Sequence, residues 1–155
     1  IASDSVDEDW LKRPVKWDTK FIRKFMILFG ITSSVFDYIT FALLLFIFKA
    51  DEALFQTGWM LESIISAMVV MLIVRTARPV LSSKPSNKLV IAIVCIAAVL
   101  LAIVYSPINS YLGLIALPAK ALSALLGVSF LYALTAEILK KNFYKHNSFS
   151  RKGRL

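Results

Sequence analysis

Two acidic residues lie inside long apolar stretches of this 155-residue chain, and this position makes them the clearest candidates for a chemical role. Asp37 lies in the first stretch and Glu62 in the second. If these stretches cross a membrane, each ionised group costs at least ~2.5 kcal/mol at mid-depth, so it is retained for a reason. Each acid also has polar neighbours at helical spacing, since Ser33 and Thr40 flank Asp37, and Ser66 follows Glu62 by four residues. We therefore expect these five side chains to make polar contacts within the membrane.

Three explanations for the two acids remain open at this point. They could join two helices through hydrogen bonds, with one or both carboxyl groups protonated to avoid a charge in hydrocarbon. They could contribute to a cation path as metal ligands, because hard divalent cations prefer carboxylate and hydroxyl oxygens. They could also exchange protons during transport. Asp37 and Glu62 alone cannot complete a cation cage, so a metal site would need ligands from elsewhere.

The elements that carry these acids are four apolar stretches, at about residues 21–48, 54–75, 88–106 and 117–139. Each is close to the ~20 residues with which a helix crosses a ~30 Å hydrocarbon layer. At ~1.5 Å per residue, Asp37 lies ~16 Å from the end of its stretch and Glu62 ~12 Å from the start of the next. Antiparallel helices would place them at similar depth. The sequence predicts an all-α protein, a membrane-embedded bundle of four transmembrane helices.

The distribution of charge predicts how the bundle is oriented. The net charge is +8, yet 16 of the 18 Lys and Arg residues lie before or at the start of the first stretch, in or beside the link between the second and third, or after the fourth. Only Lys49 and Lys120 lie at or near the other two links. The positive-inside rule then places both termini in the cytoplasm, with residues 1–20 as a cytoplasmic segment and 140–155 as a basic cytoplasmic tail. We expect a multi-pass protein of the plasma (cytoplasmic) membrane.

The basic residues also indicate a partner. Positive charges at helix ends suit the anionic head groups of the lipid bilayer. Nucleic acid is not an expected partner, because the sequence has no soluble domain to present a basic surface to it.

Smaller signals concern packing and connections. Gly30 and Ser34 have the spacing that allows another helix to approach closely. The link Ser106–Pro118 is polar enough to leave the membrane but carries no charge. Glu137 precedes Lys140 by three residues, which predicts an ordinary ion pair on the helix surface at the membrane boundary.

Motifs for catalysis are missing from the sequence. It contains no Gly-rich phosphate loop, no Ser/His/Asp or Cys/His constellation and no Asp-Lys-Thr-Gly-Thr phosphorylation motif. We expect no enzyme activity in this chain alone, and no catalytic or cofactor-binding residues.

Three stretches, in this order, carry a resemblance to a known family. They are LKRPVKWD at 11–18, TSSVFDYITFALL at 32–44 and ALFQTGWMLES at 53–63. Together they resemble the C-terminal membrane portion of magnesium-transporting P-type ATPases, the part that supplies transmembrane helices seven to ten. The chain departs from that family at Ile31, Ala67 and Leu72, where relatives carry Pro, Gln and His. The two polar groups missing from the second helix make it a poorer lining for an ion path.

The resemblance implies a role within a larger pump. The parent would be an ATP-hydrolysing translocase of a bacterium or archaeon, importing magnesium or a related divalent cation through an aspartyl-phosphate intermediate, with Mg²⁺ and ATP as its cofactors. This chain would be its non-catalytic membrane support module, bracing the upstream ion-binding helices. Its partners would be those upstream membrane helices and the phosphorylation domain, which the loop Asp4–Lys24 would contact.

An alternative from another class also fits the composition. A stand-alone small membrane protein with four helices, either a transporter or an assembly protein, would use an intramembrane carboxylate in its own right. An exporter of this kind would bind protons and substrate at that carboxylate.

Overall fold

Four long helices make up the computed structural model, which describes residues 19–76, 79–82 and 85–152, with side chains for all of these except residues 81 and 146–152. All four are long and apolar enough to cross a membrane, which confirms the prediction of an all-α bundle with four transmembrane helices. The side of the membrane on which the termini lie stays a prediction. Most of the predicted cytoplasmic segment 1–20, including LKRPVKWD, lies outside the described residues.

The helices are α1 (Thr19–Ala42), continued by the π-helical segment Leu43–Ile47, α2 (Glu52–Val74), α3 (Asn87–Tyr105) and α4 (Ala119–Lys152).

Helix starts follow local sequence signals. The side chain of Asp51 caps α2 by accepting a hydrogen bond of 2.9 Å from the backbone N–H of Leu54. The hydroxyl of Ser86 caps α3 by accepting one of 3.3 Å from the N–H of Leu89. Short polar side chains at these positions satisfy backbone donors that the first helical turn leaves free.

Two apolar clusters hold the bundle together, one near each end. Helix α2 packs most extensively against α4, and α1 packs against both. We call the end that carries the α1–α2 and α3–α4 links the distal end, and the opposite end the terminal end. The terminal cluster contains Phe29, Ile73 and Ala136. The distal cluster contains Leu44, Leu61, Leu100, Val104, Leu117, Ala121 and Leu125.

Tight packing at a glycine occurs at a different position from the one that the sequence indicated. A Cβ atom added at Gly58 would lie 3.0 Å from the Leu44 side chain and 3.5 Å from that of Leu125. At Gly30 an added Cβ would meet nothing within 4 Å. The small residue at position 58 therefore lets α2 fit against the distal cluster, whereas the Gly30 face of α1 is open among the described residues.

Helix α4 continues well beyond residue 139, where the sequence placed the end of the last apolar stretch. Its later turns carry Phe143, whose ring centroid lies 5.0 Å from that of Phe21 and 5.3 Å from that of Phe25. Tyr144 also lies against Phe21, at 5.7 Å. These aromatic contacts pack the extension of α4 onto the start of α1.

The Glu137–Lys140 pair is not the ordinary surface pair that its spacing predicted. The Lys140 side chain is only 2% exposed, and its Nζ lies 2.9 Å from Glu137 Oε2. The same Nζ donates a hydrogen bond of 3.0 Å to the carbonyl oxygen of Ile73, in the last turn of α2. Glu137 Oε1 accepts a bond of 3.2 Å from the backbone N–H of Val80. The prediction is wrong because this face of α4 meets the end of α2, where Lys140 donates to a carbonyl of the last helical turn.

Candidate functional site

A layer of polar side chains lies between the two apolar clusters, and it contains all five polar residues singled out from the sequence. On each helix these residues fall between members of the terminal and distal clusters. Helix α4 supplies two further members. This polar layer consists of Ser33, Asp37 and Thr40 of α1, Glu62 and Ser66 of α2, and Ser129 and Tyr132 of α4.

An open depression of about 380 Å³ marks the side of this layer. Asp37 and Ser33 line it from α1, and Ser66 lines it from α2. The half-buried Asp37 is therefore accessible from the side of the bundle. The other lining residues are Phe29, Gly30, Trp59, Ser63, Ala67, Val70 and Tyr132.

Glu62 lies deeper than Asp37. Its side chain is 1% exposed, and it is not among the residues that line the depression. Ser66, whose hydroxyl donates a hydrogen bond of 3.1 Å to the carbonyl oxygen of Ser63, lies near the Glu62 carboxyl group, and Asp37 is near enough to act on Glu62 electrostatically. The structure therefore brings the two acids into one group, at the comparable depth that counting along the helices predicted.

Two buried oxygen atoms in the layer have no hydrogen-bond partner. They are Oε2 of Glu62 and Oγ1 of Thr40. Thr40 is fully buried, and it does not line the depression. Buried polar atoms are normally paired, so two such oxygens at this depth require an explanation from function or from missing partners.

Sequence reasoning did not assign four residues that bring polar groups to this site: Trp59, Ser63, Ser129 and Tyr132. Tyr132 of α4 lines the depression close to Ser33, and its ring lies 5.1 Å from that of Phe36. Ser63 and Trp59 of α2 line the depression. A tyrosine hydroxyl in the middle of an apolar stretch was the available signal, since buried tyrosine hydroxyls usually find a partner.

The arrangement presents carboxyl and hydroxyl oxygen atoms. Within residues 19–76, 79–82 and 85–152, no three His, Cys, Asp or Glu side chains lie together as a metal-binding group. The carboxyl groups of Asp37 and Glu62, with the hydroxyls around them, can hydrogen-bond to another helix or contribute oxygens to a larger site.

Four spanning helices around an intramembrane polar layer define a multi-pass membrane protein. A family model described as "Cation transporting ATPase, C-terminus" matches residues 1–142. The chain belongs to that family.

Curated relatives support the same assignment. The chain is 35% identical over 147 residues to "Magnesium-transporting ATPase, P-type 1" of Salmonella typhimurium, covering 92% of this chain and 16% of the relative. It is 36% identical over 149 residues to the protein of the same name from Escherichia coli K12, covering 93% and 16%. The chain thus spans about 16% of the length of these relatives and corresponds to the C-terminal membrane region of a magnesium-transporting P-type ATPase.

Proposed function

We propose that this chain is the non-catalytic membrane support module of a P-type ATPase that imports magnesium or a related divalent cation. ATP hydrolysis, through an aspartyl-phosphate intermediate, belongs to domains elsewhere in the parent. The module braces the ion-binding helices while they move. Both of its ends lie on the cytoplasmic side, where basic residues meet anionic lipid head groups and the phosphorylation domain is within reach.

The observation that carries this proposal is the polar depression on the side of the bundle. Asp37, Ser33 and Ser66 line an opening partway along two helices that are long and apolar enough to cross a membrane. Hydrocarbon cannot satisfy such groups, so in the membrane they must face protein or water rather than lipid. The relatives contain about six times as much chain as the matched region, which supplies ample segments to cover the opening.

The shape of α1 at the depression supports the same partner. Gly30 lines the opening, and a Cβ added there would meet nothing within 4 Å. Ser34, four residues later, is exposed. Small residues at this spacing let a second helix backbone come close enough for interhelical hydrogen bonds. An upstream membrane helix seated on this face would cover Asp37.

Photo-cross-linking in the full-length pump tests this docking. A photoreactive diazirine side chain replaces Ala67, which is exposed and lines the depression, or Val94, which is exposed on α3. We expect position 67 to cross-link to peptides from upstream membrane helices and position 94 to cross-link to lipid, as read by mass spectrometry. Cross-linking of position 67 to lipid, as at position 94, would contradict the proposal.

A second role, on the ion path, is favoured by the unpaired oxygens of Glu62 and Thr40. Such oxygen atoms could coordinate a cation directly or hydrogen-bond to a water molecule that does, with the remaining ligands supplied by upstream helices. This role requires a charged carboxylate at Glu62. It therefore predicts that Glu62→Gln abolishes cation-stimulated ATP hydrolysis in the full-length pump, whereas a bracing role needs only the hydrogen bonds that an amide can also make.

A further inference from the structure

The link between α3 and α4 is an ordered structure with an apolar outer surface. It contains the 3-10 helix Pro107–Leu112 and turns at Gly113, whose φ of +68° is a left-handed conformation that suits glycine. No Asp, Glu, Lys, Arg or His occurs from Leu89 to Ala119. The link therefore has no charged side chain that would favour its exposure to water.

Hydrogen bonds fix the link to the helices beneath it. The backbone N–H of Ile115 donates to Thr57 Oγ1 at 3.0 Å, and the Thr57 hydroxyl donates to the carbonyl oxygen of Ala53 at 2.7 Å. The Tyr105 hydroxyl donates to the carbonyl oxygen of Leu117 at 3.2 Å. The link therefore lies against the distal end of α2 rather than projecting from the bundle.

Its side chains divide into an inner and an outer set. Leu114 and Leu117 are buried against the bundle. Tyr111 is 90% exposed, and Ile108 and Leu112 are each more than half exposed. The outer set continues the exposed apolar surface of α3, since Tyr105 at the end of that helix is also half exposed.

The length of α3 sets the depth of this surface. Nineteen residues, from Asn87 to Tyr105, span ~28 Å at 1.5 Å per residue, close to the ~30 Å of the hydrocarbon layer. The residues that follow Tyr105 therefore begin at the boundary of the hydrocarbon. Tyrosine is enriched at that boundary because its ring is apolar and its hydroxyl can reach water.

We propose that the α3–α4 link is an interfacial anchor, which inserts Ile108, Tyr111 and Leu112 into the head-group region of the leaflet at the distal end. The occupant of this apolar surface is lipid, because the surface follows directly on the exposed apolar side chains of α3, a helix long enough to cross a membrane, and carries no charge. Through Thr57 the anchor also holds the start of α2, five residues before Glu62, at a fixed depth.

Fluorescence quenching in reconstituted vesicles tests the anchor. In a full-length pump with its cysteines replaced, including Cys95, a bimane label is attached at Tyr111→Cys or, as a matched control at the same end, at Glu52→Cys. Both positions are exposed. The vesicles contain phosphatidylcholine and phosphatidylglycerol, with or without phosphatidylcholine carrying a shallow doxyl group, and iodide is the aqueous quencher.

We expect the label at position 111 to be quenched by doxyl lipid, to resist iodide and to emit at shorter wavelength than the label at position 52. Adding Thr57→Val should partly restore quenching by iodide at position 111, because the link is no longer bonded to α2. Equal iodide quenching at the two positions would overturn the anchor. Resistance to both quenchers at position 111 would also overturn it, since protein rather than lipid would then cover the surface.

Discussion

Replacing Lys140 by methionine should destabilise the membrane region far more than the same change at Lys141. Lys140 is almost fully buried and bonds both to the Ile73 carbonyl and to Glu137, whereas Lys141 is exposed on the same helix. Methionine keeps an unbranched apolar stem of four heavy atoms, as in lysine, but removes the ammonium group. The comparison therefore isolates the contacts of that group.

The contacts of Lys140 set the expected magnitude. A hydrogen bond from a charged donor, such as the one to the Ile73 carbonyl, contributes about 1.5–3 kcal/mol. Breaking a fully buried ion pair costs about 3–5 kcal/mol, but Glu137 is 31% exposed and keeps its bond from Val80, so water offsets part of that cost. We expect Lys140→Met to lower the free energy of unfolding by about 2–4 kcal/mol. Lys141→Met should change it by less than about 0.5 kcal/mol.

A double-mutant cycle measures the pair directly. The full-length pump, in mixed micelles, is unfolded with sodium dodecyl sulfate for the parent, Lys140→Met, Glu137→Gln and the double variant. We expect a coupling energy between positions 137 and 140 of about 1–3 kcal/mol, the range for residues in one hydrogen-bonded network. Equal stability of the Lys140→Met and Lys141→Met variants, with no coupling to Glu137, would mean that the contacts of the Lys140 ammonium group do not stabilise the bundle.

Two further substitutions test packing and the distal link, each against a control in the same chain. Gly58→Ala should lower the free energy of unfolding by about 1–3 kcal/mol, because the added Cβ meets the fully buried Leu44 side chain at 3.0 Å. Gly127→Ala, where an added Cβ meets nothing within 4 Å, should leave the stability unchanged or raise it. Thermal unfolding measures both variants, and equal shifts in melting temperature would contradict the packing described at Gly58. Thr57→Val should lower the free energy of unfolding by about 1 kcal/mol and speed amide hydrogen exchange at Ile115, because the Ile115 N–H loses its acceptor. The control is Thr135→Val, which should leave that exchange unchanged, since the Thr135 hydroxyl bonds to Leu131 within its own helix. Unaltered exchange at Ile115 in the Thr57 variant would count against the described bond.

The four helices were predictable from sequence because the physical constraint is simple. A hydrocarbon layer of fixed thickness requires apolar stretches of about the observed length. The same geometry predicted similar depths for Asp37 and Glu62, since depth along a straight helix follows from counting residues. The role of these two acids stays a prediction.

What the sequence could not supply was the rotation of each helix about its axis. Glu137 and Lys140 have the spacing of a surface pair, and only the position of α2 beside them makes the lysine a buried cap. Likewise, Tyr132 joins the polar layer because α4 turns that residue toward Ser33. The choice between Gly30 and Gly58 as the point of close approach depends on the same rotation.

The most direct test of the bracing role is cation-stimulated ATP hydrolysis and magnesium uptake by the full-length pump, reconstituted in vesicles, with Asp37→Asn or Glu62→Gln. Both amides keep the size and hydrogen-bonding groups of the acids but remove the charge. Bracing predicts nearly parental rates for both variants. Loss of both activities in a variant that is expressed and folded normally would contradict the account and place that carboxylate on the ion path.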